Sequence, residues 1–238
     1  RSVFPSGVHS LRPAAPLSHF HPALFELKLK TVPAPDEKAY LKRILIFGNC
    51  AAKKITALIM RLIIGLGNPG KQYESTRHNA GFLALDFLRE HFDFENFHRE
   101  TRFHAELSIG TIGQEKYLLI KPATFMNRSG SAVRALLDFY KLSARDIIVL
   151  HDDLDIAPGT HKTTSSSRAA GHNGVQDIID TIGTQDFFRI RLGIGRPAET
   201  EGACRPAHDY VLDPFSPDEL ALLQKIFPTL PKLITEPL

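Results

Sequence analysis

From Arg61 onward the apolar positions switch between two periods. Leu62-Ile63-Ile64 is a continuous apolar run, the mark of a strand covered on both faces, and predicts a strand over 61–66. Gly81, Ala84, Leu85, Leu88 and Phe92 recur at helical spacing and predict an amphipathic helix over about 80–92. Strand-like stretches near 102–110 and 115–121 are separated by Gly110-Thr-Ile-Gly113, which predicts a hairpin. Val133, Leu136, Leu137 and Tyr140 predict a helix over about 129–141, and Asp146-Ile-Ile-Val-Leu150 reads as a buried parallel strand. Residues 162–174 are polar and too irregular to be core. Val175, Ile178, Ile179 and Ile182 then form another helical stripe, stopped by Gly183. Phe187 to Ile194 reads as a strand with Arg189 and Arg191 on one face. Ser216-Pro217-Asp218-Glu219 opens the last helix, with Ser as N-cap, Pro at the first helical position and Glu completing a capping box. Strands interleaved with helices define an α/β protein: a single three-layer αβα domain with a mixed, mostly parallel twisted sheet, the hairpin supplying the antiparallel part.

The first 60 residues lack this pattern. Pro13, Pro16, Pro22, Pro33 and Pro35 interrupt any long element, and no methionine precedes Met60. Such a segment reads as in-frame sequence upstream of a start at Met60, as a basic, acid-poor targeting segment, or as a disordered arm. Of these the first is favoured, and the segment is set outside the fold: 1–59 an upstream or disordered extension, 60–238 the domain.

Composition adds limits. Hydrophobic residues make up 43% and charged residues 23% of the chain, ordinary for a globular protein. No apolar run approaches the roughly 20 residues that cross a bilayer. Two cysteines, Cys50 and Cys204, are too few for a disulfide framework or the usual zinc site, so a reducing compartment is the default. The net charge of +3 is uneven, because residues 1–60 hold nine Lys/Arg against three acids and the remainder is net acidic. Any nucleic-acid binding by the domain therefore requires a local basic patch.

Gly65-Leu66-Gly67-Asn68-Pro69-Gly70 after the first strand matches the dinucleotide fingerprint letter by letter. That fingerprint also needs a helix opening at the glycines and an acid about 20 residues on, at the end of a second strand. Here Asn68-Pro69-Gly70-Lys71-Gln72-Tyr73-Glu74 carries no helical stripe, and Asp86, at the right spacing, falls inside the predicted helix. The cofactor reading fails, and the glycines are left as a tight turn that sets Asn68 at the C-terminal edge of the sheet.

Four segments hold polar residues that packing alone does not explain: Asn68 with Thr76-Arg77-His78-Asn79, Lys121 to Gly130 with Asn127, His151-Asp152-Asp153-Leu154-Asp155, and Gly171-His172-Asn173-Gly174. They offer a candidate base (His78), candidate orienting acids (Asp152, Asp153, Asp155) and carboxamides (Asn68, Asn127, Asn173). That set suits hydrolysis by an activated water. A neutral imidazole takes a proton, a carboxylate on its other nitrogen fixes the tautomer, and Asn amides donate to a carbonyl oxygen gaining charge. A metal site on the aspartates and nearby histidines is the lesser alternative. His151 and His172 read as structural, and Asn173 alone reads as an N-cap. Spacing does not choose among the acids.

Taken together the segments resemble the bacterial-type peptidyl-tRNA hydrolase family: GLGNPGxxYxxTRHNxG at 65–81, KPxTFMNxSG at 121–130, HDDLDxxPG at 151–159, GHNG at 171–174 and FxRxRxGIGRP at 187–197. The resemblance implies an esterase that cleaves the bond between a peptide and the 3′-terminal ribose of tRNA without metal or cofactor, cytoplasmic, monomeric, and with no membrane or obligate protein partner. Carried over by motif, His78 is the general base and Asp152 its orienting carboxylate. Asn68, Asn127 and Asn173 hold the peptidyl and terminal adenosine portions, and Tyr73 and Met126 shape the pocket. Lys162 and Arg191 match positions associated with the acceptor end and 5′-phosphate of tRNA, with Arg189 assisting. Many members carry a glycine-rich loop and a second basic residue after the position of Lys162. This chain has Thr163-Thr164-Ser165-Ser166-Ser167-Arg168-Ala169-Ala170 there, and Arg168 is expected to supply the missing charge. The alternative within the same resemblance is a non-catalytic RNA-binding relative, of the splicing-cofactor type. Retention of His78, Asp152 and the three asparagines weighs against it.

Overall fold

The computed structural model describes residues 60–197 and 206–236. In chain order the main elements are β1 (Met60–Gly65), α1 (Ala80–His91), β2 (His98–Glu100), β3 (Ala105–Ile112), β4 (Glu115–Pro122), α2 (Ser129–Tyr140) and β5 (Ile147–Asp153). β6 (His161–Ser165), α3 (Asn173–Ile182), β7 (Phe188–Gly193), α4 (Ala207–Leu212), α5 (Pro217–Ile226) and α6 (Leu230–Thr235) complete the fold. The sheet order is β2-β3-β4-β1-β5-β7-β6. Its centre, β4-β1-β5-β7, is parallel, and the pairings β2-β3, β3-β4 and β6-β7 at the two edges are antiparallel.

The continuous apolar runs are explained by burial on both faces. On β1, Leu62 and Ile64 pack into one core with Val133 and Leu136 of α2 and Val175 and Ile178 of α3. Ile63 points into the other core, with Ala84, Leu85 and Leu88 of α1, Leu223 and Ile226 of α5, and Leu230 and Ile234 of α6. With a side-chain period of two, neighbouring residues serve opposite layers, and the three-layer αβα architecture follows. Each such Val, Leu or Ile side chain, fully buried, contributes about 1.5–3 kcal/mol.

Several boundaries differ from the pattern-based expectation. The hairpin turn is Gly113-Gln114, with Gly113 at φ 63°, because Ile112 already pairs with Glu115. Gly110 lies inside β3, where a Cβ would collide with the Phe94 ring. Residues 102–104 form a 3-10 turn and its left-handed exit rather than strand. β5 runs on through Asp153, so Asp152 and Asp153 are strand residues and do not follow the strand. The start of the polar 162–174 stretch is the edge strand β6. The capping box at Ser216 is present as expected, with the Ser216 side chain accepting from Glu219 N and the Glu219 carboxylate from Ser216 N. Asp86 lies on α1 and pairs with Lys121 Nζ at 2.5 Å, which removes the acid the dinucleotide pattern would need. The glycine turn after β1 leads into a 3-10 turn at Lys71–Tyr73, not an α-helix. Gly65 and Gly81 instead let the end of β1 and the start of α1 touch through their backbones: a Cβ on Gly81 would collide with Leu66 and the Leu150 carbonyl. The expectations for residues 1–59 lie outside the described residues.

Candidate active site

The polar segments converge at the C-terminal edge of the parallel strands, where ligands of open α/β sheets gather. Asn68 follows β1, His78 sits on the 3-10 turn Arg77–Asn79 just before α1, Asp152 is the penultimate residue of β5, and Asn173 opens α3. Together with Phe125, Met126, Asn127, Asp153, Asp155, His172, Arg196 and residues of α4, they line a cavity of about 630 Å³.

Of the three aspartates near the strand end, only Asp152 reaches the base. His78 Nδ1 lies 2.9 and 3.0 Å from its two carboxylate oxygens. A carboxylate only accepts, so Nδ1 carries the proton and Nε2 keeps its lone pair. Burial opposes a proton on His78, but the charge of Asp152 and its hydrogen bond outweigh that and raise the His78 pKa above 6.5. Burial also works against ionised Asp152, yet the electrostatics and hydrogen bonds of the two facing imidazoles, His78 and His172, hold it well below the usual carboxylate range. Asp153 turns to Arg191 Nε at 2.7 Å, and Asp155 to Arg196 at 2.6–2.9 Å. Consecutive strand residues point to opposite faces, so Asp152 and Asp153 cannot share a partner.

His172 is where pattern reading fell short. Its Nε2 lies 2.9 Å from Asp152 Oδ1, so this carboxylate oxygen faces two imidazoles. Its Nδ1 accepts the Val175 N–H at 3.3 Å, which makes His172, not Asn173, the N-cap of α3. One ligand atom each from His78, Asp152 and His172 lies within 4.8 Å of the others, a set of the kind that holds divalent metals. However, a neutral His172 accepting at Nδ1 has its proton on Nε2, the atom a metal would need, so the cluster fits a hydrogen-bond relay better than a metal site. His151 is fully buried, and its Nδ1 donates to the Asp152 carbonyl at 2.7 Å. Burial first, then the nearby His172, push its pKa well below 6.5, so the ring is neutral.

Asn79 is a second residue whose part did not show in the pattern. Its Oδ1 accepts from Asn68 N and its Nδ2 donates to Asn68 O, clamping the glycine turn. The Asn68 Oδ1 in turn accepts Met126 N–H at 2.9 Å, which leaves the Asn68 amide NH2 for a ligand in the cavity. Asn127 and Asn173 line that cavity, and buried Met126 floors it against Gly174, where a Cβ would strike its sulfur. Tyr73 is half-buried on its own turn and does not line the cavity. Arg77, beside His78, is buried: it forks onto Glu219 at 2.8–3.1 Å, donates to the Tyr210 carbonyl and stacks 4.1 Å from that ring, tying the turn to α4 and α5.

The basic residues stand apart from the cavity. Lys162 on β6 is exposed and sits opposite Arg191 on β7, so the two charges are cross-strand neighbours. Arg168 is exposed as well. Arg189 is not available to an outside phosphate: it is buried, and its guanidinium holds Ser167 and the Arg168 carbonyl, anchoring the loop after β6. Sharing a face with Arg191 in sequence did not give it a shared task. The loop 163–170 contains no glycine, and Ser166 and Ala170 adopt left-handed φ of 64° and 49°.

A three-layer α/β domain with a histidine–carboxylate pair and converging amides at the sheet edge has the equipment of a hydrolytic enzyme that works through water. The chain belongs to the peptidyl-tRNA hydrolase family, whose model matches residues 62–237. It is 44% identical over 168 residues to a peptidyl-tRNA hydrolase of Mycoplasma capricolum, covering 71% of this chain and 87% of the relative. To a peptidyl-tRNA hydrolase of Exiguobacterium sibiricum it is 45% identical over 167 residues, covering 70% and 87%. The crystal structure of peptidyl-tRNA hydrolase from Acinetobacter baumannii superimposes with a TM-score of 0.66 at 34% identity, over 74% of this chain and 88% of that one.

Proposed function

We propose that this chain hydrolyses the ester between a peptide and the 3′-terminal ribose of tRNA. The observation that carries the reading is the His78 ring, its Nδ1 held by Asp152 and its basic Nε2 left for the cavity, in a chain of this family. His78 Nε2 takes a proton from water as the water oxygen attacks the ester carbonyl carbon. Asp152 steadies the imidazolium, and amide NH2 groups of Asn68, Asn127 and Asn173 donate to the developing oxyanion and hold the substrate. Collapse of the tetrahedral intermediate breaks the bond to the ribose oxygen, which receives the proton from His78. The products are free tRNA and a peptide acid. Exposed Lys162, with Arg191 and Arg168, binds the tRNA phosphates. No helix among the described residues is long and apolar enough to cross a membrane. A monomer acting in the cytoplasm, with residues 1–59 dispensable, completes the proposal.

The test is release of tRNA from an N-blocked aminoacyl-tRNA by the full chain, by protein starting at Met60, and by His78→Ala. Turnover by the first two and its loss in the third is expected. Binding of tRNA without turnover by the unaltered chain would favour the non-catalytic RNA-binding reading, and undiminished turnover by His78→Ala would sink the mechanism.

A further inference from the structure

We propose that His172 is a positioning residue for hydrolysis, holding the Asp152 carboxylate as a second donor beside His78 with a tautomer set by its other task as the cap of α3. The proposal rests on the hydrolytic reading above and assigns work to a histidine that reading does not use. The Val175 N–H can only donate, so His172 Nδ1 must present a lone pair, and the neutral ring then has its proton on Nε2. Nε2–H points at Asp152 Oδ1, the oxygen 2.9 Å from His78 Nδ1. Two N–H donors from separate elements fix how the carboxylate is turned, and so how His78 is aimed.

The ring is faced by Asp152 and His151 of β5 and by His78 of the 77–79 turn, with ring centroids 4.7 Å from His151 and 4.9 Å from His78. Because the same ring caps α3, it ties the orientation of Asp152 to the helix end that carries Asn173.

His172→Asn separates the two tasks: a side-chain amide oxygen still caps α3, but the shorter side chain does not reach Asp152. In this variant kcat for the N-blocked substrate is expected to fall roughly ten- to hundredfold, the range for a hydrogen bond to a charged group, with KM and melting temperature little changed. The acid limb of the rate profile moves to higher pH, because a carboxylate relieved of one donor holds the His78 proton more tightly. In an Asp152→Asn background the same substitution has a much smaller effect. Nitrogen NMR of the histidine rings of the full chain is expected to show the His172 proton on Nε2 and the His78 titration displaced upward in His172→Asn. A proton on His172 Nδ1, or a His172→Asn enzyme with the parent pH profile and kcat, would overturn the proposal. Should the parent chain fail to release tRNA, the hydrolytic reading falls, and the ring spectra and His78 titration still decide whether His172 positions Asp152.

Discussion

The end of β5 and the β6–β7 edge both present charged groups, but they are built in opposite ways. At the end of β5, Asp152 is buried, and each of its side-chain partners is a ring nitrogen whose proton is placed by another hydrogen bond or by the carboxylate itself. At the β6–β7 edge, Lys162 and Arg168 stand in water, and Arg191 shares its charge with Asp153. Chemistry needs one proton in one place, which only buried, geometrically fixed partners supply. Phosphate binding needs charge of the right sign within reach, which exposed side chains on an edge strand supply. Substitutions at the first region should therefore act on rate and its pH dependence, and those at the second on affinity and its salt dependence.

The largest expected effect is that of Asp152→Asn. The carboxamide cannot favour the Nδ1–H tautomer of His78 as the carboxylate does, and the imidazolium loses its counter-charge. A fall in kcat of roughly 10²–10⁴ is expected, with tRNA affinity unchanged in a filter-binding titration. A comparable loss of affinity would erase the contrast between the two regions. Next comes pH. The His78 pKa is raised, and the base works only unprotonated, so kcat/KM should be flat in alkali and fall tenfold per unit once pH drops through a value above 6.5. The sign is fixed by Asp152: its charge favours the protonated ring, so in any Asp152→Asn enzyme with measurable turnover the limb should move down. A limb below pH 6.5 in the parent enzyme would mean that burial, not Asp152, governs the ring.

These contrasts also explain what the pattern of residues disclosed. β1, α1, α2 and β5 announce themselves because burial on one or both faces imposes a period, and the α5 capping box because helix ends have few chemical solutions. β2 and β6 do not: His98–Glu100 and His161–Ser165 are short and mostly polar, and they become strands by pairing with β3 and β7. The extension of β5 through Asp153 was hidden because its last residues are polar, and they are tolerated in a buried strand only by virtue of His78, His172 and Arg191. The same long-range pairing hid His172 and separated Asp152 from Asp153 and Asp155. Motif resemblance had already singled out Asp152, while residue types and spacing left the three acids equal.

At the basic edge the expected effects are smaller. Lys162→Ala and Arg191→Ala should each leave kcat for saturating substrate close to that of the parent. Each should weaken tRNA binding several-fold at low salt and reduce the slope of log affinity against log salt by about 0.7–0.9, the share of one phosphate contact. Arg191 has a further consequence, because its removal leaves the Asp153 carboxylate at the cavity wall with the Asp155 N–H but no counter-charge, so its loss of affinity should exceed that of Lys162→Ala.

Arg168→Ala is the finest test. The Arg168 side chain is exposed, while its carbonyl is held by Arg189, so the substitution removes a charge without releasing the loop. If this arginine supplies a phosphate contact, affinity for tRNA should drop about two- to threefold and the salt slope should fall by part of one contact, with melting temperature and kcat unchanged. Loosening the anchor instead, by Ser167→Ala, removes the hydroxyl contact of Arg189 while its two carbonyl contacts stay, and should leave the charge in place and act through the loop. Because Ser166 and Ala170 already sit at positive φ, at a cost on the order of 1 kcal/mol each, a loosened loop should relax away from its present shape. If Arg168→Ala changes neither affinity nor salt slope while Ser167→Ala lowers affinity, the loop contributes to tRNA binding through shape. The edge would then resemble the end of β5 more than its exposed charges suggest.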